Sequence, residues 1–273
     1  MILDEIAAKT RLRLEETKKK LPPEPMREQA LAKAAGSGPE SGNPAPFARA
    51  LAAPGLSFIC EVKKASPSKG LIAPDFPYRQ IARDYEAAGA AAVSVLTEPD
   101  FFLGSDEYLR DIAADLNIPV LRKDFIIDSY QIYQAKLLGA SAVLLICALL
   151  DRETLAGYIK TAASLGMSAL VEIHGEAEAE AALKAGAGII GINSRDLKTF
   201  TVDPGLTARL RKFLPPGIVA VAESGIKSPA DIRGLADLGF DAVLIGESLM
   251  RAPDKKRFLE TLRGGTGGPS QGS

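Results

Sequence analysis

Short runs of apolar and β-branched residues alternate with longer stretches of helical character from residue 57 onward. The two kinds of segment differ in side-chain period, which is about 2 in a strand and about 3.6 in a helix. Eight strands are predicted near residues 57–62, 92–96, 118–121, 142–146, 168–173, 188–192, 218–222 and 241–245. Eight helices are predicted at 77–88, 105–115, 128–138, 151–165, 175–185, 204–213, 228–238 and 254–262.

Several of these units share a local signature, in which a glycine ends the helix and an alanine-rich step leads into the next strand. The segments are AAGAAAVSVL, LLGASAVLLI, SLGMSALVEI, KAGAGIIGIN and DLGFDAVLIG. Their glycines (Gly89, Gly139, Gly166, Gly186 and Gly239) are predicted to be left-handed at the helix ends. Strict alternation of eight units favours an α/β protein with a closed (β/α)8 TIM barrel, and a doubly wound open sheet is the rival architecture.

The N-terminal residues precede this pattern. Residues 3–21 are predicted to form an amphipathic helix, which ends at Pro22-Pro23. Its apolar stripe consists of Leu3, Ile6, Ala7, Leu14 and Leu21. A second short helix is predicted at 26–35, a flexible connector at 36–46 and a third helical piece at 47–53.

The apolar stripe is too small to be a core alone, so it must dock elsewhere. We therefore expect residues 1–45 to be a helical extension that caps the C-terminal face of the strands. The barrel then spans 46–263, and the Gly-rich tail at 264–273 is expected to be disordered.

Composition narrows the class of protein. The chain has 273 residues, of which 47% are hydrophobic and 25% charged, with a formal net charge of −1. Because the net charge is close to zero, neither a nucleic-acid surface nor a membrane partner is expected. We predict a cytoplasmic location because no signal peptide is evident. Cys60 and Cys147 lie in apolar runs and are interpreted as reduced packing residues. His174 is too poorly spaced from them to complete a zinc site.

Polar residues lie at the ends of the predicted strands and not in their middles. Glu61 and Lys63 leave the first strand on the same face, and a hydroxyl-rich loop, Ser66 to Gly70, follows. The other strand ends carry Thr97-Glu98, Lys123, Glu172, Asn193 with Arg195, Glu223-Ser224-Gly225 and Gly246-Glu247-Ser248; only the fourth, at Ile146-Cys147, is apolar. Because active sites of such barrels lie at this face, and converging buried charges destabilise a fold unless paired, we expect a functional site.

The residue types at this face indicate the chemistry. Burial can shift Lys63 and Lys123 toward neutrality, which would suit them to proton donation or Schiff-base formation. Glu61, Glu172 and Glu223 can act as acids or bases. Glycines after the last two strands, at 225 and 246, favour a phosphate site built from backbone N–H groups. These residues alone predict a metal-free barrel enzyme that acts on a phosphorylated small molecule by acid–base or Schiff-base chemistry.

Six motifs at these positions resemble the indole-3-glycerol phosphate synthase family of tryptophan biosynthesis. They are EVKKASPSKG (61–70), LRKDFI (121–126), VEIH (171–174), GINSRDL (191–197), VAESGI (221–226) and LIGESLM (244–250). The resemblance implies a carbon–carbon lyase (a carboxy-lyase) that closes the ring of 1-(2-carboxyphenylamino)-1-deoxyribulose 5-phosphate with loss of carbon dioxide and water. It implies no cofactor and no metal. It also implies a monomer, with association with other tryptophan-pathway enzymes left open.

The same resemblance assigns roles to individual residues. The catalytic candidates are Lys123, Glu172, Lys63, Glu61, Asn193 and Glu223. Lys123 resembles the general acid of ring closure, Glu172 its acid–base partner, and Lys63 the group that contacts the substrate carboxylate. The substrate-binding candidates are Arg195, Ser224, Phe102, Phe125 and Leu144, and the phosphate-binding candidates are Ser66, Gly225, Gly246 and Glu247.

Three alternatives to this function are considered. A phosphoribosylanthranilate isomerase would rest on a cysteine–aspartate pair, whereas the first strand here brings Glu61 and Lys63. A Schiff-base aldolase would use Lys123 as its nucleophile. A sugar-phosphate-binding barrel without catalysis would have no need of the combined set of Lys63, Lys123 and Glu172.

Overall fold

A closed parallel barrel forms the body of the molecule, as the strand–helix alternation predicts. The computed structural model describes residues 2–36, 45–196 and 200–264. The barrel strands are β1 (Ser57–Val62), β4 (Ala92–Leu96), β5 (Val120–Lys123), β6 (Ala142–Ile146), β7 (Ser168–Ile173), β8 (Ile189–Asn193), β9 (Val219–Glu223) and β10 (Ala242–Ile245). Each strand pairs with its neighbour in sequence, and β1 pairs with β10 to close the ring.

Helices surround the barrel and precede it. They are α1 (Ile2–Lys20), α2 (Pro23–Gly36), α3 (Pro46–Leu51), α4 (Tyr78–Ala87), α5 (Asp106–Asp115), α6 (Ser129–Leu138), α7 (Arg152–Ser164), α8 (Glu176–Lys184), α9 (Leu206–Arg211), α10 (Pro229–Asp237), α11 (Glu247–Arg251) and α12 (Lys255–Arg263). Three short elements were not predicted: the hairpin of β2 (Ala65–Ser66) and β3 (Gly70–Leu71), a 3₁₀ turn at Cys147–Leu149, and α11. Among the described residues, no helix is both long and apolar enough to cross a lipid bilayer.

Local sequence signals account for several of the helix ends. Ser105, Asp128, Asp151 and Asp254 each accept a hydrogen bond from a backbone N–H in the first turn of the helix that follows. The five glycines predicted to be left-handed all have positive φ, from 70° at Gly166 to 95° at Gly139. Residues with a side chain adopt that conformation less readily, so each glycine favours the turn back into the barrel.

Two apolar layers hold the barrel together. The larger lies between strands and outer helices, where Tyr85, Leu109 and Ile132 are fully buried. The smaller fills the barrel interior. At its lower end, Phe47 and Leu51 of α3 join the first residues of several strands in one buried cluster. The Ser57 hydroxyl at the start of β1 also donates to the Ala50 carbonyl, so α3 closes the N-terminal end of the barrel.

The helices before α3 pack on the opposite end and on one side. Helix α1 lies on the loops after β4 and β5: Arg13 pairs with Glu98 at 3.1 Å, and Lys18 with Asp128 at 2.8 Å. Helix α2 lies along α6, where the Lys33 ammonium donates to the Leu137 carbonyl. Helix α1 therefore caps the C-terminal face of the strands. The predicted connector and tail lie largely outside the described residues.

Candidate active site

A cavity of about 710 Å³ opens at the C-terminal ends of the barrel strands. Every residue that the sequence predicted for the site lines it: Glu61, Lys63, Ser66, Phe102, Lys123, Phe125, Leu144, Glu172, Asn193, Arg195, Glu223, Ser224, Gly225, Gly246 and Glu247. Within the described chain, the end of β4 is the exception to the predicted ring. Thr97 and Glu98 do not line the cavity, and Leu96 represents that strand instead.

Lys123, the last residue of β5, lies among carboxylates. Its Nζ is 3.3 Å from Glu172 Oε2 and 3.6 Å from Glu223 Oε2, and its side chain is only 14% exposed. Burial lowers the pKa of Lys123, but Glu172, Glu223 and Glu61 outweigh it and raise that pKa above its ordinary value. The prediction that burial shifts this lysine toward neutrality is therefore wrong. A charged ammonium suits electrostatic stabilisation of a developing alkoxide and proton donation to it, and it disfavours Schiff-base attack.

Glu172 and Glu223 share the Lys123 cation and are both fully buried. Burial opposes ionisation of Glu172, but Lys123 and His174 lower its pKa. Burial raises the pKa of Glu223 to about 8, opposed by Lys123 and reinforced by the charge of Glu172. The pair therefore keeps one proton near neutral pH, held on Glu223, because two like charges so close together do not both ionise readily.

The Glu223 carboxylate has little free space around it. Its Oε1 is buried without a hydrogen-bond partner among the described residues. A Cβ at position 191, on the neighbouring strand β8, would collide with this same oxygen. Glycine at 191 therefore makes room for the carboxylate.

Glu61 and Lys63 form a second acid–base pair at the end of β1. Lys63 Nζ lies 2.5 Å from Glu61 Oε1, and the Glu61 side chain is buried. Burial opposes ionisation of Glu61, but Lys63 and Lys123 lower its pKa below the ordinary value. A Cβ at Gly246 would collide with the Glu61 carboxylate and crowd the Lys63 ammonium, so that glycine provides space for the pair.

Asn193 fixes the turn after β9. Its Oδ1 accepts hydrogen bonds from the Ser224 hydroxyl at 2.8 Å and from the Arg195 backbone N–H at 3.1 Å. Ser224 has a φ of 67° and Gly225 a φ of 77°. A non-glycine residue in this region stores strain that the surrounding structure must hold, and such strain is concentrated at functional sites.

Cations surround Glu247 on the β8 and β10 side of the cavity. The Glu247 carboxylate lies 3.7 Å from Arg195, 3.8 Å from Lys69 and 3.3 Å from Arg251. The hydroxyl of Ser66 and the turn at Gly225 line the same cavity. Three cations offset the repulsion that the single carboxylate would exert on an anion, so this region suits a phosphate group.

The opposite wall of the cavity is apolar. Phe102 and Phe125 form a tilted ring pair with centroids 5.8 Å apart, and Leu144, in the middle of β6, also lines the cavity. The absence of charge at the end of this strand fits an aromatic ligand, which needs apolar cover on its faces.

Sequence reasoning assigned no role to three polar groups at or behind the lining of the cavity. Glu98 accepts backbone hydrogen bonds from residues 100, 101 and 102 and so fixes the loop that carries Phe102. Arg122 and Asp124 form a buried ion pair at 3.0 Å next to Lys123. His174 lies against Glu172. Each of these groups is next to a strand-end residue in the sequence. The sequence alone does not show which of two neighbouring residues faces the cavity and which one supports the other from behind.

Comparison with known proteins agrees with this geometry. A family model described as "Indole-3-glycerol phosphate synthase" matches residues 3–262. A protein of that name from Ruminiclostridium cellulolyticum is 54% identical over 264 residues, which is 97% of this chain and 99% of the relative. Another from Endomicrobium trichonymphae is 51% identical over 263 residues, covering 96% of this chain and all of the relative.

Solved structures support the architecture alone. A thiamine phosphate pyrophosphorylase from Pyrococcus furiosus superposes with a TM-score of 0.59 at 17% identity, covering 77% of this chain and 95% of that one. KGPDC from Streptococcus mutans superposes with a TM-score of 0.62 at 11% identity, covering 78% of this chain and 97% of that one. The family match spans nearly the whole chain, and it includes every strand end that lines the cavity. The chain therefore belongs to the indole-3-glycerol phosphate synthase family.

Proposed function

We propose that this protein converts 1-(2-carboxyphenylamino)-1-deoxyribulose 5-phosphate to indole-3-glycerol phosphate, carbon dioxide and water, a step of tryptophan biosynthesis. The observation that carries the proposal is the position of Lys123. Its charged ammonium contacts two carboxylates in a cavity that has an aromatic wall on one side and a cluster of cations on another. The substrate has matching parts: a ketone, an aromatic ring and a phosphate.

Ring closure requires stabilisation of negative charge on oxygen. An aromatic ring carbon attacks the ketone carbon, a carbon–carbon bond forms, and the carbonyl oxygen becomes an alkoxide. A preorganised cation near that oxygen is the most effective means of lowering such a barrier. Lys123 supplies this cation in our proposal, and it protonates the alkoxide while Glu172 holds the ammonium in place.

Decarboxylation follows because the attacking ring carbon then carries both the new bond and the carboxylate. Loss of carbon dioxide breaks the bond between the ring carbon and the carboxylate carbon, and the electron pair returns to the aromatic ring. In our proposal Lys63 and Arg195 position the carboxylate, and the apolar side chains of Phe102, Phe125 and Leu144 enclose the aromatic ring. An apolar setting destabilises the carboxylate relative to carbon dioxide, which is uncharged.

Dehydration completes the reaction and needs both an acid and a base. The hydroxyl group leaves as water after it accepts a proton, and a base removes a proton from the new ring. The two pairs Glu61–Lys63 and Lys123–Glu172 each offer one acid and one base within hydrogen-bond reach. Asn193 and Ser224 orient the substrate hydroxyls in this scheme.

The phosphate is proposed to bind among Ser66, Lys69 and the backbone at Gly225 and Gly246. We also propose a monomeric enzyme that works in the cytoplasm, where the other enzymes of the pathway would meet its substrate and product. Size-exclusion chromatography at micromolar concentration tests the first point, and a dimer peak would contradict it.

The test of function is incubation of the purified protein with the carboxyphenylamino-deoxyribulose phosphate, monitored by indole fluorescence. We expect a fluorescent product without added metal or cofactor, and unchanged turnover after treatment with a chelator. Borohydride added during turnover distinguishes the aldolase alternative, because it would trap a Schiff base on Lys123 and inactivate the enzyme. Persistent absence of product with this substrate would refute the proposal.

A further inference from the structure

His174 lies directly behind Glu172 and is not among the residues that line the cavity. It follows the last residue of β7, and its side chain is 15% exposed. Its Nε2 is 3.5 Å from Glu172 Oε1, while the other oxygen of Glu172, Oε2, faces Lys123. The two oxygens of one buried carboxylate thus face the proposed general acid on one side and an imidazole on the other.

The imidazole also connects to the molecular surface. Its Nδ1 is 3.5 Å from Oε2 of Glu178, in the first turns of α8, and the Glu178 side chain is 29% exposed. Glu178 also accepts a hydrogen bond from the His174 backbone N–H at 2.7 Å, which keeps its carboxylate beside the ring. The groups form a continuous row from solvent through Glu178 and His174 to Glu172.

Neither ring nitrogen of His174 has an aligned hydrogen bond within the described part of the chain. Buried polar atoms normally have partners, and those that do not often have a redox or catalytic role. Two carboxylates at equal distance, without an aligned bond to either, hold the ring in place without locking one orientation. No hydrogen bond among the described residues therefore fixes one orientation of the ring.

The other groups near His174 favour its charged form. Glu172 belongs to the same strand, Glu178 to α8 and Glu223 to β9, and the Cys147 thiol lies 3.8 Å from the Glu178 carbonyl oxygen. Burial lowers the pKa of His174, but Glu178, Glu172 and Glu223 outweigh it and raise that pKa. These carboxylates therefore favour the form of the ring that carries a transferable proton.

The proposed reaction consumes a proton in every turnover. The substrate enters as a carboxylate, and the products are a neutral indole ring, carbon dioxide and water. The alkoxide takes one proton, the departing hydroxyl takes another, and the new ring returns one, so the balance is one proton taken from solvent. When substrate fills the cavity mouth, that proton needs a second route to the carboxylates below.

We propose that Glu178 and His174 form this route, with His174 acting through Glu172 as a positioning and proton-supply residue. The inference rests on the proposed function. In each turnover Lys123 gives its proton to the substrate. The His174 Nε2–H bond then breaks as a new O–H bond forms on Glu172 Oε1, and Glu172 returns a proton to the Lys123 amine. Rotation of the ring brings the bare nitrogen to Glu178, which transfers a proton to it from solvent water.

His174→Gln removes the transferable proton but keeps a polar side chain of similar reach. We expect KM to stay within about twofold and kcat to fall about tenfold or more near pH 8, since a general acid contributes about 10²–10⁴-fold when it is essential. The deficit should shrink near about pH 6, where solvent protons are abundant. Glu178→Gln should give the same pH-dependent deficit, because it interrupts the outer step and leaves the ring in place.

Chemical rescue separates proton supply from a structural role. Added imidazole should restore kcat of His174→Ala by filling the vacated space, and circular dichroism confirms that the variant is folded. If His174→Ala does not fold, the Glu178→Gln profile decides instead. The matched control is Glu180→Gln on the same helix, whose exposed side chain pairs with Lys184 and should leave kcat unchanged.

Wild-type enzyme in the same assay distinguishes the two proposals. If the wild type forms no indole product, the proposed function fails and the proton route fails with it. If the wild type turns over and His174→Gln matches it at every pH, the proton route alone is wrong. A deficit that is constant with pH and unaffected by imidazole would also overturn the route, because it would indicate a packing role only.

Discussion

Glu98 does not line the cavity, but it holds the loop that carries Phe102. Replacing Glu98 by glutamine should therefore loosen the aromatic wall of the cavity indirectly. The Glu98 side chain is fully buried, and its two oxygens accept backbone N–H bonds from residues 100, 101 and 102 at 3.1, 2.7 and 3.1 Å. Arg13 of α1 pairs with the same carboxylate at 3.1 Å. The residue therefore joins α1 to the loop that holds Phe102.

A glutamine offers one acceptor oxygen, so at least one of the three N–H groups is left unpaired in a buried place, which costs about 1–3 kcal/mol. The two remaining bonds lose their charge assistance, about 0.5–1 kcal/mol each. The pair with Arg13 adds at most about 1 kcal/mol, because the arginine is 31% exposed. The free energy of unfolding should therefore fall by about 2–6 kcal/mol.

Substrate binding should weaken as well. If the Phe102 ring loses its fixed position against Phe125, the contact worth about 0.5–1.5 kcal/mol is impaired, and KM should rise roughly 2- to 10-fold. Urea denaturation and initial-rate kinetics measure the two effects. Glu107→Gln is the control, since that carboxylate is exposed on the surface of α5 and, among the described residues, pairs only with Arg110 at 3.9 Å. Unchanged KM and a stability loss below about 0.5 kcal/mol would refute the reasoning.

Other changes probe different parts of the account. Deleting residues 1–45 should weaken substrate binding about tenfold or more, near 1.4 kcal/mol, while circular dichroism still shows a folded barrel; equal binding by the truncated chain would contradict a lid role. Gly246→Ala should lower kcat, because the new Cβ collides with the Glu61 carboxylate, whereas Gly225→Val should mainly raise KM for the phosphate substrate. If Gly246→Ala mainly raised KM and Gly225→Val mainly lowered kcat, the roles proposed for the two positions would be reversed. The pKa of Glu223 is raised on folding, so in the wild type this carboxyl destabilises the folded state as pH rises toward its folded pKa. Glu223→Gln lacks this titration, so its stability relative to wild type should increase between about pH 5 and pH 8. Parallel stability curves of the two proteins would argue that Glu223 is ionised.

The fold was largely predictable because its signals are local and repeated. The two side-chain periods and the helix-ending glycines specify eight strand–helix units, and a closed barrel follows from their strict order. The missed elements are short. Helix α11 begins at Glu247 directly after a strand, and the β2–β3 hairpin occupies two residues on each side, so neither is long enough to show a period.

The site was predictable as a set of lining residues but less so in its electrostatics. The strand-end rule places Lys123 and Glu172 in one cavity, and the structure brings them within 3.3 Å. The sequence indicates that Lys123 is buried, but it does not show that three carboxylates surround it. Those carboxylates decide whether the pKa of Lys123 is raised or lowered. The same holds for His174, whose importance depends on distances to both Glu172 and Glu178.

The central claim is that Lys123 is the cation that promotes ring closure, and the most direct test is single-turnover formation of indole-3-glycerol phosphate by wild-type protein and by Lys123→Ala. The account predicts product from the wild type and a fall of about 10²–10⁴-fold in the rate for the variant, because the acid at the developing alkoxide is lost. Circular dichroism and substrate binding by the variant serve as controls for folding. Turnover by Lys123→Ala at close to the wild-type rate would contradict the account.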